Sequence, residues 1–247
     1  MSAPTTSRAA LADRLPIGLL MLTAVSGTVD AVSFLGLGHI FTANMTGNVV
    51  LLAFAAVGTP GISVSGSITS LAAFLSGAAI GGCFGRGIPG LLRLRWFRVS
   101  AVCEAALLFA AAIAVIALDG DSTALQDRQY AVIVLTALAM GLRNATIRQL
   151  AVPDLTTTTV VTMTLTGLVA DLALADSSHS HSSRRVGSIA SLFVGAAMGA
   201  LLLRLGLAVP LIVAAVGVLA AIAYAAPPWN LSRVRPPSSL GARGEKR

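Results

Sequence analysis

The chain has 247 residues, of which 55% are apolar and only 11% are charged, and its mean hydropathy is +0.85. Soluble domains carry about a quarter of charged residues, so this composition argues against a soluble enzyme and against a nucleic-acid-binding protein. The formal net charge of +7 does not reverse that conclusion, because the arginines stand in short clusters between long apolar runs. Membrane proteins distribute their charge in this way, and we therefore expect the lipid bilayer, and not nucleic acid, as the partner.

Both ends of the chain are polar. We predict a cytoplasmic tail over 1–14, a single transmembrane domain over 15–226 and a disordered cytoplasmic tail over 227–247. The two cysteines, Cys83 and Cys103, lie in or beside apolar runs and predict neither a disulfide framework nor a metal site. The sequence contains no nucleophile–base, phosphate-loop or zinc-binding spacing, so we expect no enzyme, no cofactor and no metal.

Six apolar regions follow one another along the chain. In order they are 15–57, 67–84, 99–118, 129–174, 186–203 and 208–226. Four of them have the length of one membrane-crossing helix, for which about 20 residues are needed. The first and the fourth are too long for one helix, and polar residues interrupt both.

Arginine placement indicates how often the two long regions cross the membrane, because positive charge marks cytoplasmic loops. The arginine clusters within 86–98 and at 184–185 are expected inside, and the uncharged loop 58–66 and the acidic loop 119–127 outside. With the N-terminus inside, each long region must then make a net odd number of crossings. Three crossings would need about 60 apolar residues, which neither region has. We therefore predict that each region forms one full helix followed by a re-entrant dip.

The two predicted dips are built from the same parts. The first region is predicted to form a helix over 15–37, a non-helical leg over 38–44 and a half-helix over 45–57. The corresponding parts of the second region are 129–150, 151–159 and 160–174. Non-helical backbone at membrane depth is tolerated only where it is buried in protein or lines a cavity, so these breaks are the most informative feature of the chain.

Three short stretches recur in the same order in both halves of the chain. Asp30 matches Asn144 at an offset of 114, the polar segment from Thr42 matches that from Thr158 at 116, and 74–81 matches 192–199 at 118. Repeat 1 is thus about 15–118 and repeat 2 about 129–226. Each makes three net crossings, an odd number, so the repeats must face opposite ways. The predicted fold class is an all-α polytopic membrane protein with six full transmembrane helices and two re-entrant half-helices, arranged as an inverted three-plus-three repeat.

Polar side chains at the two breaks form the candidate substrate site. They are Asp30, Asn44, Thr46, Gly47 and Asn48 at the first break, and Asn144, Thr158, Thr162 and Thr164 at the second. Helix N-termini carry partial positive charge and free N–H groups. Two half-helix starts that meet near the membrane midplane could therefore bind a small polar or anionic solute, as in many secondary transporters.

The same residues also have a structural interpretation. A carboxylate within the membrane is costly unless it is paired, hydrated or protonated. Asp30 either binds a proton, a cation or a substrate group, or it accepts hydrogen bonds from the backbone of the leg and holds it in place. Likewise, the polar side chains near Thr42 and Asn44 either bind solute or cap the half-helix.

Two further acids lie near the cytoplasmic ends of their predicted helices. We expect Glu104 and Asp171 to pair with nearby arginines, and Arg143 and Arg148 to serve as these partners or as anchors at the membrane interface. The glycine pairs of 74–81 and 192–199 are spaced to let helices pack closely.

The residues around the first break resemble a known family. The stretches 29–35 and 41–48, and in the second half 141–145 and 157–162, are similar to those of the YoaK-type bacterial membrane proteins. Met163 departs from the pattern, which has glycine at this point. The resemblance spans about 15–226. It implies a multi-pass protein of the bacterial inner membrane, and the family brings no settled biochemical function.

These observations predict an integral membrane protein that acts as a small-solute permease. The alternative is a non-transporting membrane scaffold or sensor, in which the same polar residues only hold the breaks together. The two hypotheses differ in hydration. A permease needs a water-accessible cavity that touches both breaks, whereas a scaffold should be dry there, with every polar group bonded within the protein.

Overall fold

In the computed structural model the chain is helical throughout its main elements. The structure describes residues 5–85, 91–117, 125–150 and 179–225. The helices are α1 (Thr5–Gly36), α2 (Met45–Ala56), α3 (Val64–Gly85), α4 (Leu91–Ala117), α5 (Leu125–Leu150), α6 (His179–Leu202) and α7 (Ala208–Ala225), and a 3₁₀ turn, Leu203–Leu205, follows α6. The predicted second break and the predicted C-terminal tail lie outside the described residues.

Six of the described helices are long and apolar enough to cross a membrane. They are all the described helices except α2, so the all-α, polytopic part of the prediction is confirmed. α1 begins at Thr5, within the stretch predicted as a tail, and its apolar part is Arg14–Gly36. A helix can extend beyond its apolar segment because its backbone hydrogen bonds do not depend on the polarity of the side chains.

The first long region forms a helix, a non-helical leg and a short helix. The end of α1 and both ends of α2 lie within one residue of the predicted bounds, whereas α1 begins ten residues before its predicted start. α1 ends at Gly36, and the chain then turns through Gly38 and His39, whose φ angles of 87° and 60° are in the left-handed region. α2 has 12 residues, and its length of about 18 Å is well short of the roughly 30 Å of a bilayer's hydrocarbon core. α2 is therefore too short to cross the membrane alone.

Glycines bring two helix pairs into close contact. A Cβ atom on Gly77 of α3 would overlap the carbonyl oxygen of Leu138 on α5, and one on Gly195 of α6 would overlap the carbonyl oxygen of Ala24 on α1. Only a residue without a side chain permits such an approach of two backbones. The close packing expected from the glycine spacing is thus observed in both helix pairs.

The contacts of these two helix pairs correspond residue by residue. The offset of 118 relates Gly77 to Gly195, and the offset of 114 relates Ala24 to Leu138, the residues that they meet. The same holds in the other direction. A Cβ on Gly141 would meet Phe74 and Ala78 of α3, and one on Gly27 would meet Leu192 and Ala196 of α6.

The remaining helix contacts follow the same correspondence. α4 packs on α5 as α7 packs on α1, and α4 and α7 pack on each other. α1 and α5 run in opposite directions, because the Gln129 side chain reaches the carbonyl oxygen of Leu37 while Arg143 reaches that of Leu22. The core contains one apolar cluster around Leu22, Leu108 and Val218 and a second around Val32, Val115 and Leu211.

Candidate functional site

Asp30 holds the leg of the first break. One carboxylate oxygen, Oδ1, accepts hydrogen bonds from the backbone N–H groups of Ala43 (2.9 Å) and Asn44 (3.1 Å). These amides stand just before α2, where helix geometry leaves N–H groups without partners in the chain. Asp30 is itself buried, six residues or about 9 Å before the end of α1. The bonds that the structural interpretation of Asp30 requires are thus present.

Two asparagines complete the break. The side chain of Asn44 caps α2 by accepting a hydrogen bond from the N–H of Gly47 at 3.3 Å. Asn48 is buried and links the leg to α3, because its Oδ1 accepts from the N–H of Phe41 (3.4 Å) and its Nδ2 donates to the carbonyl oxygen of Ser67 (3.3 Å). Both amides therefore serve the local structure in this conformation.

Other candidate residues of the first break differ in exposure. Thr46 is exposed, and Gly47 lies against the ring of Phe41, which a Cβ would approach to 3.0 Å. The hydroxyl groups of Thr42 and Ser67 are buried and have no hydrogen-bond partner among the described residues. A buried hydroxyl without a hydrogen-bond partner costs free energy. These two hydroxyl groups therefore differ from Asp30, Asn44 and Asn48, whose side chains are hydrogen-bonded within the protein.

A buried ion pair connects α4 to α5. Nε of Arg143 lies 3.4 Å from Oε1 of Glu104, and Nη1 of Arg143 donates to the carbonyl oxygen of Leu22 on α1 at 2.7 Å. The side chains are only 4% and 1% exposed. The predicted pairing of Glu104 with an arginine is therefore confirmed, and of the two roles predicted for Arg143 the structure shows that of the partner and not that of the interfacial anchor.

One turn away, two hydroxyl groups meet across the same helix pair. Oγ of Ser100 and Oγ1 of Thr146 are 2.8 Å apart, and both residues are buried. Thr146 also donates to the carbonyl oxygen of Leu142. No local sequence pattern indicates this contact, since nothing near Ser100 or Thr146 shows that α4 and α5 face each other here.

The structure does not bring Asp30 and Asn144 to the same depth. Arg143 reaches the carbonyl oxygen of Leu22, so Asn144 lies near the level of that residue. Leu22 precedes Asp30 by eight residues, or about 12 Å along α1. Asn144 is half-buried, and the other second-break candidates, Thr158, Thr162 and Thr164, lie outside the described residues, as does Asp171.

A cavity of about 300 Å³ lies between α3, α4 and α5. Its walls are apolar and include Gly77, Trp96, Leu107 and Leu138, with Phe84 exposed at its rim. It does not touch Asp30 or the first break, so it is not the water-accessible cavity that a permease requires. Within the described ranges, no group of three or more His, Cys, Asp or Glu residues is placed to hold a metal ion.

Comparison with known proteins gives two matches and one negative result. A family model described as "Protein of unknown function (DUF1275)" matches residues 18–225. The chain is 34% identical over 157 residues to the UPF0700 transmembrane protein YoaK of Bacillus subtilis (strain 168). That match covers 64% of this chain and 66%, just under two thirds, of the relative. No solved structure matches the chain.

Proposed function

The chain belongs to the DUF1275 family of membrane proteins, and we propose that it is a secondary transporter for a small polar or anionic solute. The resemblance to YoaK-type proteins noted at the first break is confirmed by these matches, and the chain is a multi-pass membrane protein. In our proposal it lies in the bacterial cell membrane with both termini in the cytoplasm, and α2 enters and leaves the membrane from the outer side.

The observation that carries the proposal is the symmetry of the helix contacts. Exchanging α1, α3 and α4 with α5, α6 and α7 leaves the pattern of packing unchanged, although α1 and α5 run in opposite directions. We interpret this as an inverted three-plus-three repeat. Inverted repeats with broken helices characterise many secondary transporters, and the step from fold to transport is an analogy.

In the proposed site, Asp30, Asn44, Thr46, Gly47 and Asn48 of the first break act together with Asn144, Thr158, Thr162 and Thr164 of the second. The difference of about 12 Å in depth between Asp30 and Asn144 supports two polar layers, one on each side of the midplane, instead of a single facing pair. Each layer would then bind the solute in one of the two orientations of the transporter.

A scaffold or sensor is the alternative function, and a specific observation favours it. The carboxylate of Asp30 accepts hydrogen bonds from backbone N–H groups of the break, and the amide of Asn48 bonds to backbone groups of the break and of α3. Residues whose hydrogen bonds hold the local structure together can be explained without a bound solute.

Asp30→Asn distinguishes the two functions, because the amide oxygen of asparagine can still accept hydrogen bonds from Ala43 and Asn44 while the charge is lost. If the charge of Asp30 is part of the solute site, Asp30→Asn should keep normal abundance and should change the binding of small anions such as acetate, sulfate or phosphate. Because a carboxylate repels an anion, we expect these anions to stabilise the purified variant more than the wild type, and we expect their uptake into proteoliposomes to change as well. Asp30→Ala is the control, since it removes the hydrogen bonds as well and should lower abundance in either case. Binding and uptake that survive Asp30→Asn unchanged would exclude Asp30 from the solute site.

A further inference from the structure

We propose that the cleft between α3 and α4 binds an anionic phospholipid, with one acyl chain in the cleft and the phosphate beside arginines at the start of α4. This site is independent of the proposed transport function. It assigns a ligand to the apolar cavity, which does not touch the first break, and to a tryptophan N–H group that lacks an acceptor.

The cavity is the inner part of a cleft that is open to lipid. α3 and α4 each pack along α5 but contact each other at few points. A gap therefore remains between them, and Leu138 of α5 lies at its floor. Ile80 and Phe84 on the α3 wall and Val99 and Cys103 on the α4 wall are exposed. Walls of this kind suit an acyl chain, because lipid tails are as apolar as these side chains.

The walls offer little to a polar ligand. None of the described residues that line the cleft is charged. The hydroxyl group of Ser100 is buried and already hydrogen-bonded to that of Thr146. Apart from the tryptophan at its end, the cleft therefore has few groups that a polar solute could bind, whereas a chain of methylene groups needs none.

The cleft has the depth of one leaflet of the bilayer. On α4 its wall extends from Trp96 to Leu107, a distance of about 16 Å at 1.5 Å per residue. Half of the hydrocarbon core of a bilayer is about 15 Å thick. An acyl chain that enters from the membrane surface at the start of α4 would therefore fill the cleft and end near the midplane.

Trp96 lies at the end of the cleft toward the start of α4. Its ring stacks on that of Phe84, with 6.0 Å between the ring centroids. The indole N–H of Trp96 is buried and has no acceptor in the described part of the chain. Tryptophan is enriched at membrane interfaces, where its N–H normally bonds to a polar group. The ester and phosphate oxygens of a lipid are the acceptors that a bilayer supplies there.

Three arginines lie at this end of the bundle. Arg95 and Arg98 stand beside the tryptophan in the sequence. The contact of Ser100 with Thr146 brings the last turn of α5, which contains Arg148, to the level of the first turns of α4. Arg95 and Arg148 are exposed, and none of the three arginines forms an ion pair within the described ranges. Their charges are therefore available to a headgroup.

Charge complementarity selects the headgroup. The segment 85–102 contains four arginines and no Asp or Glu. Basic clusters at the membrane surface bind anionic lipids, and each arginine strengthens this binding about fivefold. A zwitterionic lipid carries no net charge and gains much less. A second copy of the chain is disfavoured as the occupant, because two copies with the same orientation would bring their arginines together and like charges repel.

Fluorescence quenching tests the site, because the chain has only two tryptophans, Trp96 and Trp229. In a Trp229→Phe background, Trp96 is the one tryptophan of the full chain, which is reconstituted in vesicles of phosphatidylcholine. Phosphatidylglycerol with brominated acyl chains, added at a low mole fraction, should quench Trp96 more strongly than brominated phosphatidylcholine at the same fraction. Combining Arg95→Gln with Arg98→Gln should remove most of this preference, by about fivefold in affinity for each arginine.

Two further variants check the two parts of the site. Arg204→Gln is the matched control, because this exposed arginine follows α6 at the opposite end of the bundle, and it should keep the preference for phosphatidylglycerol. Cys103→Phe places a larger side chain in the cleft and should weaken quenching by both lipids.

Equal quenching of Trp96 by the two brominated lipids would overturn the proposal, since it would show a cleft filled by bulk lipid without selection of the headgroup. Weak quenching by both would also overturn it, because Trp96 would then not lie beside an acyl chain. A preference that survives the loss of Arg95 and Arg98 would contradict their role. If the double variant fails to fold, Arg95→Gln alone carries the test: a reduced preference supports the site and an unchanged one contradicts it.

Discussion

The two halves of the molecule share their apolar packing but differ in their buried polar groups. Gly77 and Gly195 meet equivalent backbone atoms of α5 and α1. In contrast, Asp30 of the first half corresponds to the uncharged Asn144, and Arg143 corresponds to Val29 at the offset of 114. These glycines fix how closely the helices pack, because a side chain there would collide with the backbone of the partner helix. We call this symmetric arrangement of packed helices the frame.

This difference separates the residues that build the fold from those that can carry a specific function. A symmetric pair of crossings needs the same small residues in both halves. The buried ion pair has no such symmetry requirement, and its two charges, Glu104 and Arg143, lie where α4 of the first half meets α5 of the second.

The largest expected effect is that of Arg143→Met. Removing one partner of a buried ion pair leaves the other charge uncompensated and costs about 3–5 kcal/mol, so the melting temperature of the purified protein in detergent should fall strongly. The double variant Glu104→Leu, Arg143→Met should regain most of the loss, because it removes both buried charges. A double variant that is no more stable than Arg143→Met would show that the pair is not the source of the effect.

The symmetric frame can be tested at its glycines. Gly77→Ala and Gly195→Ala should each destabilise the protein by about 1–3 kcal/mol, and by similar amounts, since each methyl group meets a backbone carbonyl of the partner helix. Gly82→Ala, on the same helix as Gly77 but with open space at its Cβ position, should leave the melting temperature unchanged or raise it. If Gly77→Ala and Gly195→Ala destabilise the protein by strongly unequal amounts, the result would contradict the symmetry that we infer.

Asp30 should show a graded response. Asp30→Ala leaves the buried N–H of Ala43 and that of Asn44 without their acceptor, and we expect a loss of about 1–3 kcal/mol, measured as a lower melting temperature and lower abundance in the membrane. Asp30→Asn keeps an acceptor and should lose much less. If Asp30→Ala and Asp30→Asn have the same melting temperature, the hydrogen bonds from the leg to Asp30 do not contribute to stability.

The smallest effect is expected at the hydroxyl pair of Ser100 and Thr146. Ser100→Ala removes one buried hydrogen bond and should cost about 1 kcal/mol. Ser76→Ala, at an exposed serine that bonds only to the carbonyl oxygen of Ala72 in its own helix, is the matched control and should change the melting temperature little. Equal responses of the two serines would mean that the contact between α4 and α5 is not tight at this point.

Much of the frame could be predicted from the sequence because the signals are local. The length of each apolar region predicts how many helices cross the membrane. The polar interruption after Gly36 predicted the end of α1 and both ends of α2 to within one residue. The helical start of α1 at Thr5 was missed, since polarity alone does not end a helix. The hydrogen bonds of Asp30 to the leg were one of two interpretations that its position in the sequence left open.

The buried ion pair could not be placed from the sequence. Glu104 and Arg143 are separated by 39 positions and each stands in the same half of the chain as other arginines, so an interfacial location explained them equally well. Their burial depends on the antiparallel contact of α4 with α5 and on the reach of Arg143 to α1. Such long-range contacts leave no periodic signal in a single chain.

Cysteine accessibility tests the inverted repeat most directly, because the inversion requires α1 and α2 together to make one net crossing. In a Cys83→Ser, Cys103→Ser background, Thr59→Cys lies in the exposed loop after α2 and Gln126→Cys at the exposed start of α5. Both should react with a membrane-impermeant maleimide in intact cells, whereas Arg14→Cys should react only after permeabilisation. Protection of Thr59→Cys and Gln126→Cys until the membrane is opened would mean that α2 crosses the membrane, and it would contradict the inverted repeat.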